Sequence, residues 1–111
     1  MITIEELKNL GADVETGLSR CAKNEALYLK LTGMGLGDAK FEELGTALKE
    51  NNLDKAFELC HALKGVIGNL AITPLFDALS ALTEKLRNRE EADYNSLYSQ
   101  IISIRDKFWN P

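Results

Sequence analysis

The sequence predicts an all-α fold, an antiparallel up-and-down four-helix bundle with additional short N-terminal helices. Three observations lead there. Apolar residues recur at helical spacing in every periodic segment. No segment alternates apolar and polar residues over a strand's length, so no sheet is expected. Four longer helical segments are joined by short connections, which favours antiparallel neighbours. At 111 residues, a single domain spanning 1–111 is expected, burying on the order of 65% of the unfolded chain's surface.

The elements follow in order. Thr3 and Glu6 make a capping box for a short first helix that ends near Gly11. Asp13 caps a second short helix through about Ala22, and Asn24 caps a third with Leu27, Tyr28 and Leu31 at helical spacing. Gly33-Met34-Gly35-Leu36-Gly37 reads as a frayed helix end and turn. A phosphate loop would need a preceding strand and a following Gly-Lys-Ser/Thr, and neither is present. Asp38 caps the next helix, with Phe41, Leu44 and Leu48 on one face. Asn51-Asn52 is a turn, and either residue can cap a long helix from Leu53 to about Ala71. Thr73-Pro74 reads as N-cap followed by proline at the first helical position. Leu75, Leu79, Leu82 and Leu86 form the stripe of that helix, and Arg87 to Glu91 a polar turn. The last helix carries Tyr94, Leu97, Ile101, Ile104 and Phe108 and stops by Asn110-Pro111.

Composition excludes several classes of function. The net charge is −4, whereas neutralising nucleic-acid phosphates needs a basic patch. No apolar run approaches the roughly 20 residues of a membrane span, and no basic amphipathic helix suits a membrane surface. The start, Met1-Ile2-Thr3-Ile4-Glu5-Glu6, lacks the basic and apolar regions of a signal peptide. Cys21 and Cys60 are too few for a disulfide scaffold and read as free thiols in a reducing compartment. A cytoplasmic location is the expectation.

The one histidine, His61, is the candidate for chemistry. Each helical residue advances about 100°. With His61 at zero, Leu59, Leu63, Val66 and Leu70 lie within roughly 40° of the opposite side, and Ala56 and Ile67 edge the same stripe. The imidazole is therefore expected to face solvent. Lys64, Gly65 and Gly68 lie within about 60° of it. Two glycines inside a helix cost about 2 kcal/mol together, against a net domain stability of about 5–15 kcal/mol. Without Cβ atoms at Gly65 and Gly68 the surface beside the ring is bare. A nucleophilic nitrogen, the Lys64 cation and a cleared approach suit transfer of an anionic group such as phosphoryl. Metal binding is disfavoured, because no second histidine exists and Cys60 points about 100° away. A Ser-His-Asp or Cys-His site stays open on spacing alone, although neither cysteine carries a local nucleophile signature. Close helix packing is the other use of the glycines, but the same geometry sets them on the histidine's side.

His61-Ala62-Leu63-Lys64-Gly65, followed by Gly68-Asn69-Leu70, resembles the signature of histidine-containing phosphotransfer (HPt) domains. Upstream, Gly17-Leu18-Ser19-Arg20 and Asn24-Glu25-Ala26-Leu27-Tyr28 are similar to the family's Gly-Leu-x-Arg and Asn-x-x-Leu-Tyr segment. Downstream, Leu75 to Leu86 matches the helix that follows. The resemblance covers roughly residues 11–105. Departures are Ala62 for threonine or serine, bulkier Val66 and Ile67 for a small pair, Ala71 for glycine and Thr83 for glutamate.

This resemblance implies a phosphoryl carrier without kinase activity of its own, built on the same bundle. His61 would accept the group from a receiver-domain aspartate and pass it to another receiver, through Nε2. Lys64 would stabilise phosphoryl charge, and Gly65 and Gly68 would clear space for the receiver. Phe57, one turn before His61 and about 40° off its direction, has two readings: an exposed docking contact, or a residue covered by an N-terminal helix. No cofactor is expected on this chain, since Mg²⁺ would sit on the receiver. Implied partners are receiver domains of response regulators and hybrid histidine kinases, and the implied state is a monomer. Two alternatives stay open, a receiver-binding adaptor without phosphotransfer and a phosphoacceptor domain excised from a larger histidine kinase.

Overall fold

The computed structural model describes residues 2–109, and seven α-helices are found among them. Three precede the bundle: α1 (Ile4–Asn9), α2 (Val14–Arg20) and α3 (Glu25–Leu36). Four form it: α4 (Lys40–Lys49), α5 (Leu53–Asn69), α6 (Thr73–Arg87) and α7 (Tyr94–Phe108). Each bundle helix packs on two others in the ring α4–α5–α6–α7, with the core of Phe41, Leu44, Leu63, Ile67, Leu75, Leu79 and Ile101 between them.

The caps act as the side chains dictate. Thr3 and Glu6 close a reciprocal capping box, and Asp13, Asn24, Asn52 and Asp93 each accept a backbone N–H at their helix starts. At α4 the N-cap is Ala39 rather than Asp38, which accepts the Lys40 N–H at 2.8 Å, and the α6 start differs from expectation too. Ile72, not Thr73, occupies the N-cap and offers no side-chain bond; Thr73 and Pro74 are already helical. Proline tolerates this place because the first-turn N–H groups have no helical acceptor.

Helices α4, α5 and α6 end in one manner. The C′ residue takes positive φ: Asn51 at 55°, Ala71 at 59° and Arg89 at 54°. At each end the paired bonds of a Schellman motif form; Ile72 N–H donates to Ile67 O and Ala71 N–H to Gly68 O after α5. That tight closure makes the short connections possible. It also gives a reason for the glycine of the resembled signature at position 71. An L-residue there bears a cost of about 1–2 kcal/mol that glycine escapes.

One expectation on α3 is corrected. The glycine-alternating stretch does not fray: α3 continues through Gly33 and Gly35 and is capped at Gly37. Buried Gly35 lies against Val66 and Leu70, so a glycine here permits close helix contact. Of the residues at helical spacing on α3, Leu27 and Leu31 do not face the core. They stay exposed, while Tyr28, Thr32, Gly35 and Leu36 are buried. Tyr28 sets that orientation by donating from its hydroxyl to Leu70 O at 2.8 Å.

The N-terminal helices cover one end of the bundle, where α5 finishes and α6 begins. Asp13 N–H donates to Ala71 O at 2.8 Å, and Arg20 donates to Gly68 O and Asn69 O at 2.7 and 3.2 Å. Its guanidinium thus caps the α5 C-terminus, where a cation complements the helix dipole. Arg105 of α7 does the same for α3 by donating to Leu36 O at 3.2 Å. Spanning 17 residues, α5 is about 25 Å long, while the molecule measures 41 Å along its longest axis. Asn110 and Pro111, expected to stop α7, and Met1 lie outside the described residues.

Candidate functional site

His61 stands at the middle of α5 with its ring exposed. The residues that anchor the helix are Ala56, Cys60, Leu63 and Ile67, all fully buried. Leu59 and Val66 are only half-buried. The core face is therefore turned by about 60° from the one the stripe Leu59, Leu63, Val66, Leu70 predicts. The physical reason is Cys60. A small thiol packs as a hydrophobe, and its Sγ accepts from the Thr83 hydroxyl at 3.2 Å. Burial pushes the Cys60 thiol up to about 11, so it stays protonated at neutral pH and is no nucleophile.

This rotation separates the residues grouped with His61. Gly65 stays beside it on the open face, and a Cβ there would meet nothing within 4 Å. Lys64, Gly68 and Phe57 move to the flank that borders α6 and are half-buried. At Gly68 a Cβ would lie 2.9 Å from Phe76 Cε1 and 3.0 Å from its Cδ1. The missing side chain is thus filled by the α6 aromatic ring. Helix packing, set aside for both glycines on wheel geometry, is what Gly68 serves, whereas Gly65 keeps the surface bare.

Lys64 Nζ lies 6.0 Å from the centroid of the same Phe76 ring. Phe76 thereby links the two: it occupies the gap at Gly68 and carries the ammonium on its face. Cation–π attraction at this distance amounts to about 0.5–1 kcal/mol where solvent reaches the pair. Phe57 is half-buried, so part of its ring stays open to a docking partner. Its ring stacks on His61, centroids 5.9 Å apart and planes inclined by 18°. The group over it is Arg87 of α6, whose Cζ lies 5.4 Å from the ring centroid, and not an N-terminal helix.

A cleft of about 600 Å³ opens beside the imidazole between α2, α5 and α6. Arg20, Lys64, Asn69, Phe76 and Asp77 line it together with His61, Gly65 and Gly68. Asp13 lies on its far wall. The hydroxyl and backbone N–H of Thr16 hold the Asp13 carboxyl below its ordinary range, with Arg20 contributing. The cleft thus carries two cations and two carboxylates around one nucleophilic ring. Among the described residues no three His, Cys, Asp or Glu side chains gather as a metal site.

Sequence reasoning missed Phe76, Arg20 and Arg87 as site neighbours. Phe76 did carry a signal, being a large aromatic about 100° off the Leu75–Leu79–Leu82–Leu86 stripe. In the sequence Arg20 is only a motif letter and Arg87 only part of a polar turn; neither carries a local mark of its spatial partner.

A family model described as Hpt domain matches residues 37–106, a span that holds α4, α5, α6 and all but the last two residues of α7. No curated protein and no solved structure matches the chain.

Proposed function

The chain belongs to the Hpt domain family, and from that premise we propose that it is a phosphoryl carrier whose acceptor is His61. The family implies phosphotransfer in two-component signalling. The observation that supports His61 most is its place: exposed at mid-helix, with open space at Gly65 one turn on and the Lys64 ammonium on the adjoining flank.

In this reading the neutral imidazole holds its proton on Nδ1 and presents the Nε2 lone pair. That pair forms the N–P bond while the P–O bond of a receiver's aspartyl phosphate breaks. The carboxylate leaves with the bonding electrons, and no proton has to move. Lys64 faces the oxygens of the passing group, and the open face at Gly65 lets the receiver come close. Metal assistance, as Mg²⁺, comes with the receiver rather than from this chain. Imidazole suits the task because its unprotonated ring nitrogen offers an in-plane lone pair to phosphorus. Transfer runs from one receiver to another, in the cytoplasm, with the chain acting as a monomer. Among the described residues no helix is long and apolar enough to cross a membrane.

Incubation with a panel of radiolabelled, phosphorylated receivers tests this. Label moves to the wild-type chain and not to His61→Gln, and a second unlabelled receiver removes it. Equal labelling of His61→Gln, or none across suitable receivers, would contradict the reading. Label taken from ATP by this chain alone would make it a kinase instead.

A further inference from the structure

We propose that Phe57 is a positioning residue for His61, acting by holding the plane of the imidazole ring. The proposal rests on the carrier reading and deepens it. Three observations carry it. The two rings are stacked, 5.9 Å between centroids and 18° between planes, within the range in which aromatic pairs attract. Phe57 precedes His61 by one helical turn, and helical side chains lean toward the N-terminus, so the imidazole lies back over Phe57. Phe57 is itself held from two sides: half-buried against the core on one, and by the Arg87 guanidinium at 5.4 Å.

The chemical consequence follows from the orbital. The lone pair of an imidazole nitrogen lies in the ring plane, not on its face. A neighbour stacked on the face leaves the nucleophilic edge free while it fixes the direction in which that edge points. A group transfer needs near-attack geometry, in which the donor phosphorus meets the nitrogen in the ring plane. An exposed imidazole with two free side-chain torsions would meet that condition seldom. Against Phe57 the ring is already restricted when the receiver arrives, with Gly65 leaving the approach open. Arg87 serves the imidazole only through Phe57. Its own ion pair is with Glu84 at 3.6 Å.

The test compares Phe57→Leu, which keeps apolar volume and loses the ring, with Phe57→Tyr, which keeps the ring. The donor is the radiolabelled receiver that transfers fastest to the wild type, and the initial rate is followed against receiver concentration. Phe57→Leu lowers the saturated rate by about three- to tenfold and leaves the half-saturating concentration within about twofold. Phe57→Tyr transfers close to the wild-type rate. In proton NMR the ring-current shift of the His61 imidazole is lost in Phe57→Leu and kept in Phe57→Tyr. A Phe57→Leu chain as fast as wild type overturns the proposal. So does a loss confined to the half-saturating concentration, which makes Phe57 a docking contact, or an equal loss of rate in both variants. A wild-type chain that takes no label overturns the carrier reading itself, while the imidazole shift still reports whether the two rings stack.

Discussion

The two turns of α5 that follow His61 each begin with a glycine or carry one, and they differ in what surrounds them. At Gly65 the space is open; at Gly68 the Phe76 ring fills it. Both glycines forgo helix propensity, about 0.8–1 kcal/mol each relative to alanine. At Gly68 that loss is offset inside the molecule, by a close fit to α6 and by the seat this fit gives Lys64 over Phe76. At Gly65 no intramolecular contact offsets it. A helix-propensity cost that no contact within a small domain offsets points to a partner outside it.

Five substitutions bear on these two glycines and the end of α5. The largest effect belongs to Gly65→Trp, which places a bulky ring on the open face. Transfer from a receiver drops at least about tenfold, roughly 1.4 kcal/mol in the barrier, while thermal unfolding shows a fold at least as stable. Transfer at the wild-type rate would break the comparison. Next, Gly68→Ala loses about 1 kcal/mol in denaturant unfolding: overpacking costs about 1–3 kcal/mol and improved propensity returns about 1. Phe76→Leu in the same chain makes the alanine better tolerated, a coupling that a double-mutant cycle reads. Gly65→Ala carries the opposite sign and gains about 0.8–1 kcal/mol. The smallest change is Ala71→Gly, just past the end of α5. Relief of its positive φ gains about 0.5–1 kcal/mol after glycine's greater chain entropy is counted.

Cys60 gives a pH prediction with no effect at neutral pH. Its folded value is raised from 9.0 to about 11 by burial, so above the ordinary value the unfolded chain binds fewer protons than the folded one. Stability is thus fully present below about pH 9 and declines as pH rises toward 11. Urea midpoints at a series of alkaline pH values read it, and a Cys60→Ala chain, compared with itself across pH, shows the decline diminished. Native Cys60 also alkylates far more slowly than the unfolded thiol at pH 8.

Much of the bundle was legible because its signals are local. Leu75, Leu79, Leu82 and Leu86 lie on the face they predict and are buried, and Asp13, Asn24 and Asn52 cap the helices they precede. The Hpt resemblance was legible in His61 to Gly65 for the same reason. What escaped is tertiary. A wheel weighted by hydrophobicity favours Leu59 and Val66 over Cys60, yet the small thiol is buried against α6, where it bonds Thr83 and Leu79. Sequence equates Gly65 with Gly68, because the atom that distinguishes them belongs to Phe76 on another helix. The same device recurs where Tyr28 fills the gap at Gly17 and Tyr98 that at Gly45. Helix ends at Asn51, Ala71 and Arg89 carried no glycine to mark them.

The most direct test of the central claim uses the fact that the chain has one histidine. With nitrogen-labelled histidine, long-range proton–nitrogen NMR shows a single imidazole, and adding a phosphorylated receiver converts it to a form with phosphorus bonded at Nε2. That form alone is expected, and it disappears when an unphosphorylated receiver is added in excess. An imidazole spectrum that stays unphosphorylated while label accumulates on the chain would contradict it.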